Sequence, residues 1–232
     1  MKYDKIIEAK FVKRPNRFIA HVEIDGREKT VHVKNTGRCK ELLVPGAKVI
    51  LEDCSHVPTR KTKYSLIAVW KGNMLVNMDS QAPNMAVFSG LKNNLVPSLT
   101  NLKKIQREVK FGNSRFDLYF ESERDKGFIE VKGVTLEKDS VAMFPDAPTD
   151  RGAKHVLEMI DVVNAGYRGI IFFLVQMQGP KLFHPNFTMD EKFSKALMQA
   201  EQQGVEIMVY DSLVTPNSLT LNKAMNYTTN SP

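Results

Sequence analysis

A chain of 232 residues with 42% apolar and 25% charged side chains can build one large or two smaller folded domains, and its composition excludes a disordered or fibrous protein. No stretch reaches the about 18 consecutive apolar residues of a membrane-crossing helix, the first residues lack the apolar core of a secretion signal, and no basic amphipathic helix marks a membrane-surface binder, so a cytoplasmic protein is expected. The net charge of +7 lies entirely in the first third, where residues 1–80 hold 16 Lys/Arg against 9 Asp/Glu while residues 81–232 hold 17 of each, an asymmetry that points to a polyanion partner, most often nucleic acid.

Residues 1–82 read as short strands joined by turns. Strands are expected at 10–13 and 17–24, then the hairpin signal Asp25-Gly26, a return strand at 27–33, a loop at 35–38 and a helical turn at 39–43. Pro45-Gly46 turns the chain into 47–52, and further strands follow at 64–70 and 74–77. Five or so strands with one helical insertion suit an OB-like β-barrel, a fold that binds single strands through basic grooves and aromatic platforms. The expected nucleic-acid-binding residues are Lys13, Arg14, Asn16, Arg17, His32, Asn35 and Arg38, with the two guanidiniums of Arg14 and Arg17 as phosphate forks. Phe11 and Phe18 are either core residues or aromatic platforms, and core is the favoured reading. Cys39 and Cys54 have no metal-ligand spacing and read as reduced thiols.

Residues 83–103 connect the halves, as a helix or a linker. From about residue 104 the grammar changes, within a second domain spanning 83–232. The segments RFDLYF (115–120) and FIEVKG (128–133) alternate or run apolar and are separated by a polar turn ending in Gly127, which predicts a hairpin. A turn centred near 124 puts Asp117 opposite Glu130, or within about two residues of it. Glu130 and Lys132 are two apart and share a face, near the end of a buried strand. Glu-x-Lys alone is commonplace on a half-exposed strand. With a facing aspartate it becomes a PD-(D/E)xK-type arrangement, in which Asp117 and Glu130 hold Mg²⁺ or Mn²⁺ and Lys132 stabilises charge. Glu108 is a further acidic candidate, with a surface ion pair as its simpler reading.

A helix is expected at 150–165, capped by Thr149 or Asp150 and ended by Gly166, with Ala153, Leu157, Ile160 and Val163 facing the core. Arg151, Lys154 and His155 crowd its first turns. Cations there oppose the helix macrodipole, and a bound phosphate would resolve the conflict. Beyond it lie a fully buried strand at 167–176, a second amphipathic helix at 189–203, a closing strand at 205–210 and a polar, loosely ordered tail after Val214. The fold class is therefore α+β or α/β, an OB-like β-barrel followed by a mixed-sheet, restriction-endonuclease-like domain.

Five segments resemble the sugar fermentation stimulation protein A family: FVKRPNRFIA (11–20), NTGR (35–38), VPG (44–46), FIEVKGVTL (128–136) and FPDAPTDRGAKH (144–155). The resemblance spans nearly the whole chain. It implies an N-terminal OB-like domain, a C-terminal PD-(D/E)xK nuclease-like domain, DNA binding, and a role in regulating sugar metabolism genes, maltose among them. The motif maps onto Asp117, Glu130 and Lys132, but Phe116 stands where such motifs carry a proline.

Two functions compete. One is a metal-dependent nuclease whose barrel delivers the strand. The other is a non-catalytic DNA-binding regulator that uses the nuclease-like fold as a docking surface. Retention of all three of Asp117, Glu130 and Lys132 favours the first, and the lack of a helix-turn-helix signature weakens the second. A sugar-binding barrel is a third reading, opposed by the basic excess. The sequence carries no signature of an oligomeric state.

Overall fold

In the computed structural model, which describes residues 1–35 and 37–230, the first strands are β1 (Ile6–Asn16), β2 (Ile19–Ile24), β3 (Arg27–Val33), β4 (Lys48–Asp53), β5 (Tyr64–Lys71) and β6 (Met74–Asn77). β1 pairs antiparallel with β2 and β4, β2 with β3, and β4 with β5. Parallel pairing of β3 with β5, at His32↔Ser65 and Val33↔Leu66, closes the ring in the order β1-β2-β3-β5-β4. This is an OB-like barrel of five strands. Asp25 and Gly26 take φ of +49° and +71°, the left-handed pair that a two-residue hairpin turn requires. Phe11, Val22, Val31, Val49, Leu51 and Val69 fill the interior, while Ile50, Ile67 and Ala68 of β4 and β5 pack in a separate apolar cluster with Tyr3. Phe18 does not join them: it is 47% exposed at the β1–β2 turn, because β1 shifts register twice before Ile19 and turns that position outward.

β6 leaves the barrel and leads into α1 (Ala82–Lys92), which has Pro83 in its first turn, where a missing N–H costs nothing. Next come β7 (Lys104–Phe111), β8 (Ser114–Glu121), β9 (Lys126–Val134), β10 (Leu136–Lys138), β11 (Val141–Phe144) and α2 (Asp150–Asn164). β12 (Arg168–Val175), β13 (Leu182–Pro185), α3 (Glu191–Gln202), β14 (Glu206–Thr215), β15 (Ser218–Ala224) and β16 (Asn226–Tyr227) complete the chain. The main sheet has the order β15-β14-β12-β9-β8-β7, parallel at its β9-β12-β14 centre and antiparallel at its edges. α2 and α3 are the crossovers of its two parallel steps and cover one face. α1 covers the other. β12 is buried on both sides, with Ile171, Phe173 and Val175 toward α2 and α3 and Ile170, Phe172 and Leu174 toward α1, which is why its sequence is apolar without alternation. Removing a ring such as Phe172 or Phe173 would cost roughly 3–5 kcal/mol. A small second sheet has the order β10-β11-β13-β16.

Three expectations are corrected. The segment after Val214 is ordered through residue 230: Leu219 and Leu221 alternate with Thr220 and Asn222, so β15 pairs with β14, and Gly90 of α1 admits Leu221 at close range. The strand expected at 205–210 therefore runs on to Thr215 and is not the last. Met1 and Tyr3 also tie to this hairpin through the backbones of Leu219 and Asn217. On α2 the buried stripe is Gly152, Ala153, Val156, Met159 and Val162, while Leu157 is turned toward the groove beside α3. The expected loop at 35–38 is described at Asn35, Gly37 and Arg38; Thr36, Ser231 and Pro232 lie outside the described residues. Among the described residues, no helix is long and apolar enough to cross a membrane.

Candidate metal centre and nucleic-acid interface

The β8–β9 hairpin pairs Leu118 with Ile129 and Tyr119 with Phe128, so Asp117 falls opposite Glu130, one rung beyond the last paired residues. There the side chain of Asp117 takes the place of a backbone partner: Oδ2 accepts the Val131 N–H at 2.8 Å. Oδ1 accepts the amide of Asn84 at 2.7 Å, from the first turn of α1. Glu130 and Lys132 lie in the middle of β9 rather than at its end. The cleft exists because β8 parts from β9 at Asp117, while β12 pairs with β9 along its whole length. On the other side of β8, Arg107↔Leu118 and Val109↔Phe116 flank Glu108, which therefore stands in register with Asp117. Glu108 has φ of +58°, an unusual backbone for a non-glycine residue, and interrupts the ladder at that rung. It makes no ion pair among the described residues and lines the cleft. One rung thus carries Glu108, Asp117 and Glu130 on three adjacent strands.

Glu130 is 4% exposed. Its Oε1 accepts from Lys132 Nζ and from His155 Nδ1, both at 2.7 Å. Arg151 Nε donates to His155 Nε2 at 3.5 Å, so Nδ1 carries the imidazole proton and donates it to Glu130. Glu130 Oε2 is buried and has no hydrogen-bond partner among the described residues. Burial pushes the Glu130 carboxyl up, but the His155 hydrogen bond and the Lys132 ammonium outweigh it and hold the group below its ordinary value. Asp117 lacks such cations at bonding distance. Burial first, and the Glu130 charge second, push it up to about 6 against the pull of Val131, Lys132 and Asn84.

α2 supplies the opposite wall of the cleft. Thr149 Oγ1 caps it by accepting from Gly152 N at 3.0 Å, and Gly152 is the residue whose lack of a Cβ lets the threonine side chain fold over it. Asp190, the cap of α3, accepts both Phe193 N and Thr149 N, so the two helix starts are locked together. The cleft holds about 320 Å³ and is lined by Asp117, Glu130, Lys132, Asn84, Arg151 and His155, with Glu108, Arg115, Ser80 and Thr149 at its margins. Lys154 is not part of it: it is exposed and reaches Glu158 at 3.6 Å, one helical turn on and away from the cleft. Asn84, Ser80 and Arg115 were not expected. Asn84 carries no signal in sequence, because only the packing of α1 on the sheet brings it to Asp117. Among the described residues, no three His, Cys, Asp or Glu side chains converge as a ready ligand cage.

The barrel carries a shallow basic groove of about 440 Å³ lined by Lys13, Arg14, Asn16, Arg17 and Arg38, together with Lys40. Three of the expected contacts are committed elsewhere. The Arg14 guanidinium donates to the carbonyls of Gly37, Arg38, Arg17 and Asn35 at 2.6–2.9 Å and is a clamp on the 35–38 loop. Asn35 is buried, donating to Met78 O and accepting from Gly37 N. Asn16 Oδ1 accepts from Phe18 N and Ile19 N and shapes the turn. His32 alternates with buried Val31 and Val33 and points out of the barrel, but it lies outside the groove. Lys13, Arg17, Arg38 and Lys40 remain free to meet a ligand. Both cysteines are free and buried, and burial, followed by the Asp146 carboxylate, pushes Cys39 up to about 12, far from a reactive thiol.

The family models described as SfsA N-terminal OB domain and Sugar fermentation stimulation protein RE domain match residues 12–78 and 81–218. A sugar fermentation stimulation protein homolog of Alkaliphilus oremlandii is 60% identical over 225 residues, 95% of this chain and 96% of its own. One from Clostridium botulinum is 50% identical over 224 residues, covering 96% and 97%. A solved structure of Pyrococcus furiosus SfsA in complex with Ca²⁺ aligns with a TM-score of 0.89 at 27% identity, covering 98% of each chain.

Proposed function

We propose, from the premise that this chain belongs to the sugar fermentation stimulation protein family, that it is a DNA-binding protein with a Mg²⁺- or Mn²⁺-dependent phosphodiesterase centre. In this reading residues 1–82 bind the polynucleotide and residues 83–232 act on it. The observation that carries it is the buried, unpartnered Oε2 of Glu130 beside Asp117, with Lys132 on the same face. An unpaired buried carboxylate oxygen is costly, and a hard cation, which Asp117 and Glu130 would hold, would satisfy it. Glu108 stands on the same rung as a further oxygen donor. The Ca²⁺ of the Pyrococcus furiosus structure supports a divalent ion of this class. When bound, the ion supplies Lewis acidity toward a phosphoryl group.

The chain's own groups divide the remaining work. His155 and Lys132 hold Glu130 ionised and fix its orientation, and the hydrogen bonds from Asn84 and Val131 fix the orientation of Asp117. Lys132 sets a cation on the cleft floor, where it stabilises negative charge developing on a phosphoryl oxygen. Arg151 and the N-terminus of α2 offer donors and positive potential to the phosphate that enters. A role in sugar metabolism, maltose included, belongs to the same proposal and rests on the family alone.

One observation favours a second reading, a non-catalytic DNA-binding regulator: among the described residues no three-ligand cage is preformed. Labelled single- and double-stranded DNA and RNA, incubated with Mg²⁺, Mn²⁺ or EDTA, separate the two. Cleavage that needs the metal and disappears in Asp117→Asn and Glu130→Gln is expected. Tight binding with no cleavage under either ion would leave the regulator.

A further inference from the structure

Of the chain's 13 phenylalanines, Phe18 is the one that stands exposed among the described residues. That exposure is not slack. Asn16 Oδ1 accepts Phe18 N at 2.9 Å and Ile19 N at 3.0 Å, Phe18 O accepts Val33 N at 2.8 Å, and Arg14 holds Arg17 O at 2.8 Å. The backbone on both sides of the ring is pinned while Phe18 stays 47% exposed. Arg17 lays its guanidinium over the ring, 4.9 Å from the centroid, and so joins the ring to the basic groove that Arg17 also lines. Lys13, Arg38 and Lys40 continue that groove.

A phosphodiester backbone satisfies these cations but not the ring, which needs a flat apolar partner. An unpaired base supplies one. A base inside a duplex does not, since its faces are taken by its neighbours in the stack. We infer that Phe18 is a stacking platform for an unpaired base, so the polynucleotide that occupies the groove is single-stranded along this stretch. The inference deepens the nucleic-acid reading proposed above and rests on it. DNA and RNA share this chemistry.

The test uses the full chain and three labelled probes: an oligothymidylate and an oligouridylate of about fifteen nucleotides, and a duplex of similar length. Each is titrated by fluorescence anisotropy over a range of salt. Phe18→Ala is expected to weaken single-strand binding roughly 5- to 150-fold, the equivalent of one lost stack, with duplex binding unmoved. The slope of affinity against salt should not change, because a stack releases no counterions. Phe18→Trp should keep the affinity and show indole quenching on binding, which wild type, with its single Trp70, should lack. The oligothymidylate and oligouridylate arms report which sugar is preferred. Unchanged single-strand affinity in Phe18→Ala, an equal loss on duplex, or a changed salt slope each overturns the platform while leaving the groove's electrostatic role intact. Wild type that binds none of the three probes overturns the nucleic-acid reading together with it.

Discussion

Asn84, in the first turn of α1, donates its side-chain amide to Asp117 Oδ1 at 2.7 Å. The contact ties the cleft to the helix that starts where the barrel ends. Asp79 Oδ1 accepts Gln81 N at 3.0 Å, and Asp79 Oδ2 is held by Lys34 at 3.3 Å from the barrel side. A carboxylate meant to receive a cation is thus oriented by a helix moored to the barrel. Groups that orient metal ligands typically contribute 10- to 100-fold to affinity, so Asn84→Ala should weaken Mn²⁺ binding by roughly that factor in calorimetry. Wild-type affinity in that variant would remove Asn84 from the site.

The same carboxylate makes the fold sensitive to pH. The folded-state pKa of Asp117 is raised from 3.8 to about 6, so its protonated form is the one the fold favours. That contribution is fully present below 3.8 and is lost as pH rises through about 6, leaving an ionised buried carboxylate that costs on the order of 3 kcal/mol. Asp117→Asn removes the titration but offers one acceptor oxygen to two donors, which trims the gain. In EDTA the variant should exceed wild type by about 1–2 kcal/mol at alkaline pH, with the gap closing below pH of about 4. Urea unfolding across that range is the check. Saturating Mn²⁺ should raise only wild type.

Arg14 and Arg17 look alike in sequence, yet the structure gives them different work. Arg14→Ala strips four carbonyls of their donor and should cost about 2–4 kcal/mol of stability. Arg17→Ala and Arg38→Ala should stay within about 0.5 kcal/mol of wild type and instead flatten the salt dependence of polynucleotide binding by about one unit per contact. Melting curves beside salt titrations distinguish the two outcomes. A thermally normal Arg14→Ala protein would contradict the clamp.

The parts of this molecule that were legible in sequence are those set by local pattern. Asp25-Gly26 announces its turn, the apolar run 170–175 announces a strand buried on both faces, and the spacing from Asp117 to Glu130 follows from the hairpin between them. What was not legible depends on distant chain. Asn84 reaches the cleft only because α1 packs across β8 and β9. Arg14 becomes a clamp because the carbonyls of Asn35, Gly37 and Arg38 come within its reach, and Phe18 is expelled by two register shifts that no propensity encodes. Leu157 fell on an apolar helical line that packing places one residue aside, since Gly152 and Ala153 are small enough to bring the other face to the sheet. The hairpin of Leu219 and Leu221 was hidden because its exposed face is rich in Thr, Asn and Ser.

Lys132 separates catalysis from docking. Its ammonium is 2.7 Å from Glu130 Oε1 and its side chain is 14% exposed, so it lies deep in the cleft rather than on a surface that a duplex or single strand would first touch. The free cations for binding, Lys13, Arg17, Arg38 and Lys40, line the barrel's groove instead. If the centre hydrolyses phosphodiesters, Lys132→Ala removes charge stabilisation of the transition state and should cut the rate about 10²- to 10³-fold. Polynucleotide affinity should hold within about twofold, because the groove supplies it. Losing the ammonium also leaves Glu130 with His155 alone, so Lys132→Arg, which keeps a donor and a charge, is the companion variant and should recover part of the rate. Single-turnover cleavage and equilibrium binding, measured on the same preparations, carry the decision. A variant that loses affinity in proportion to rate would make Lys132 one more phosphate contact, and the cleft a docking surface.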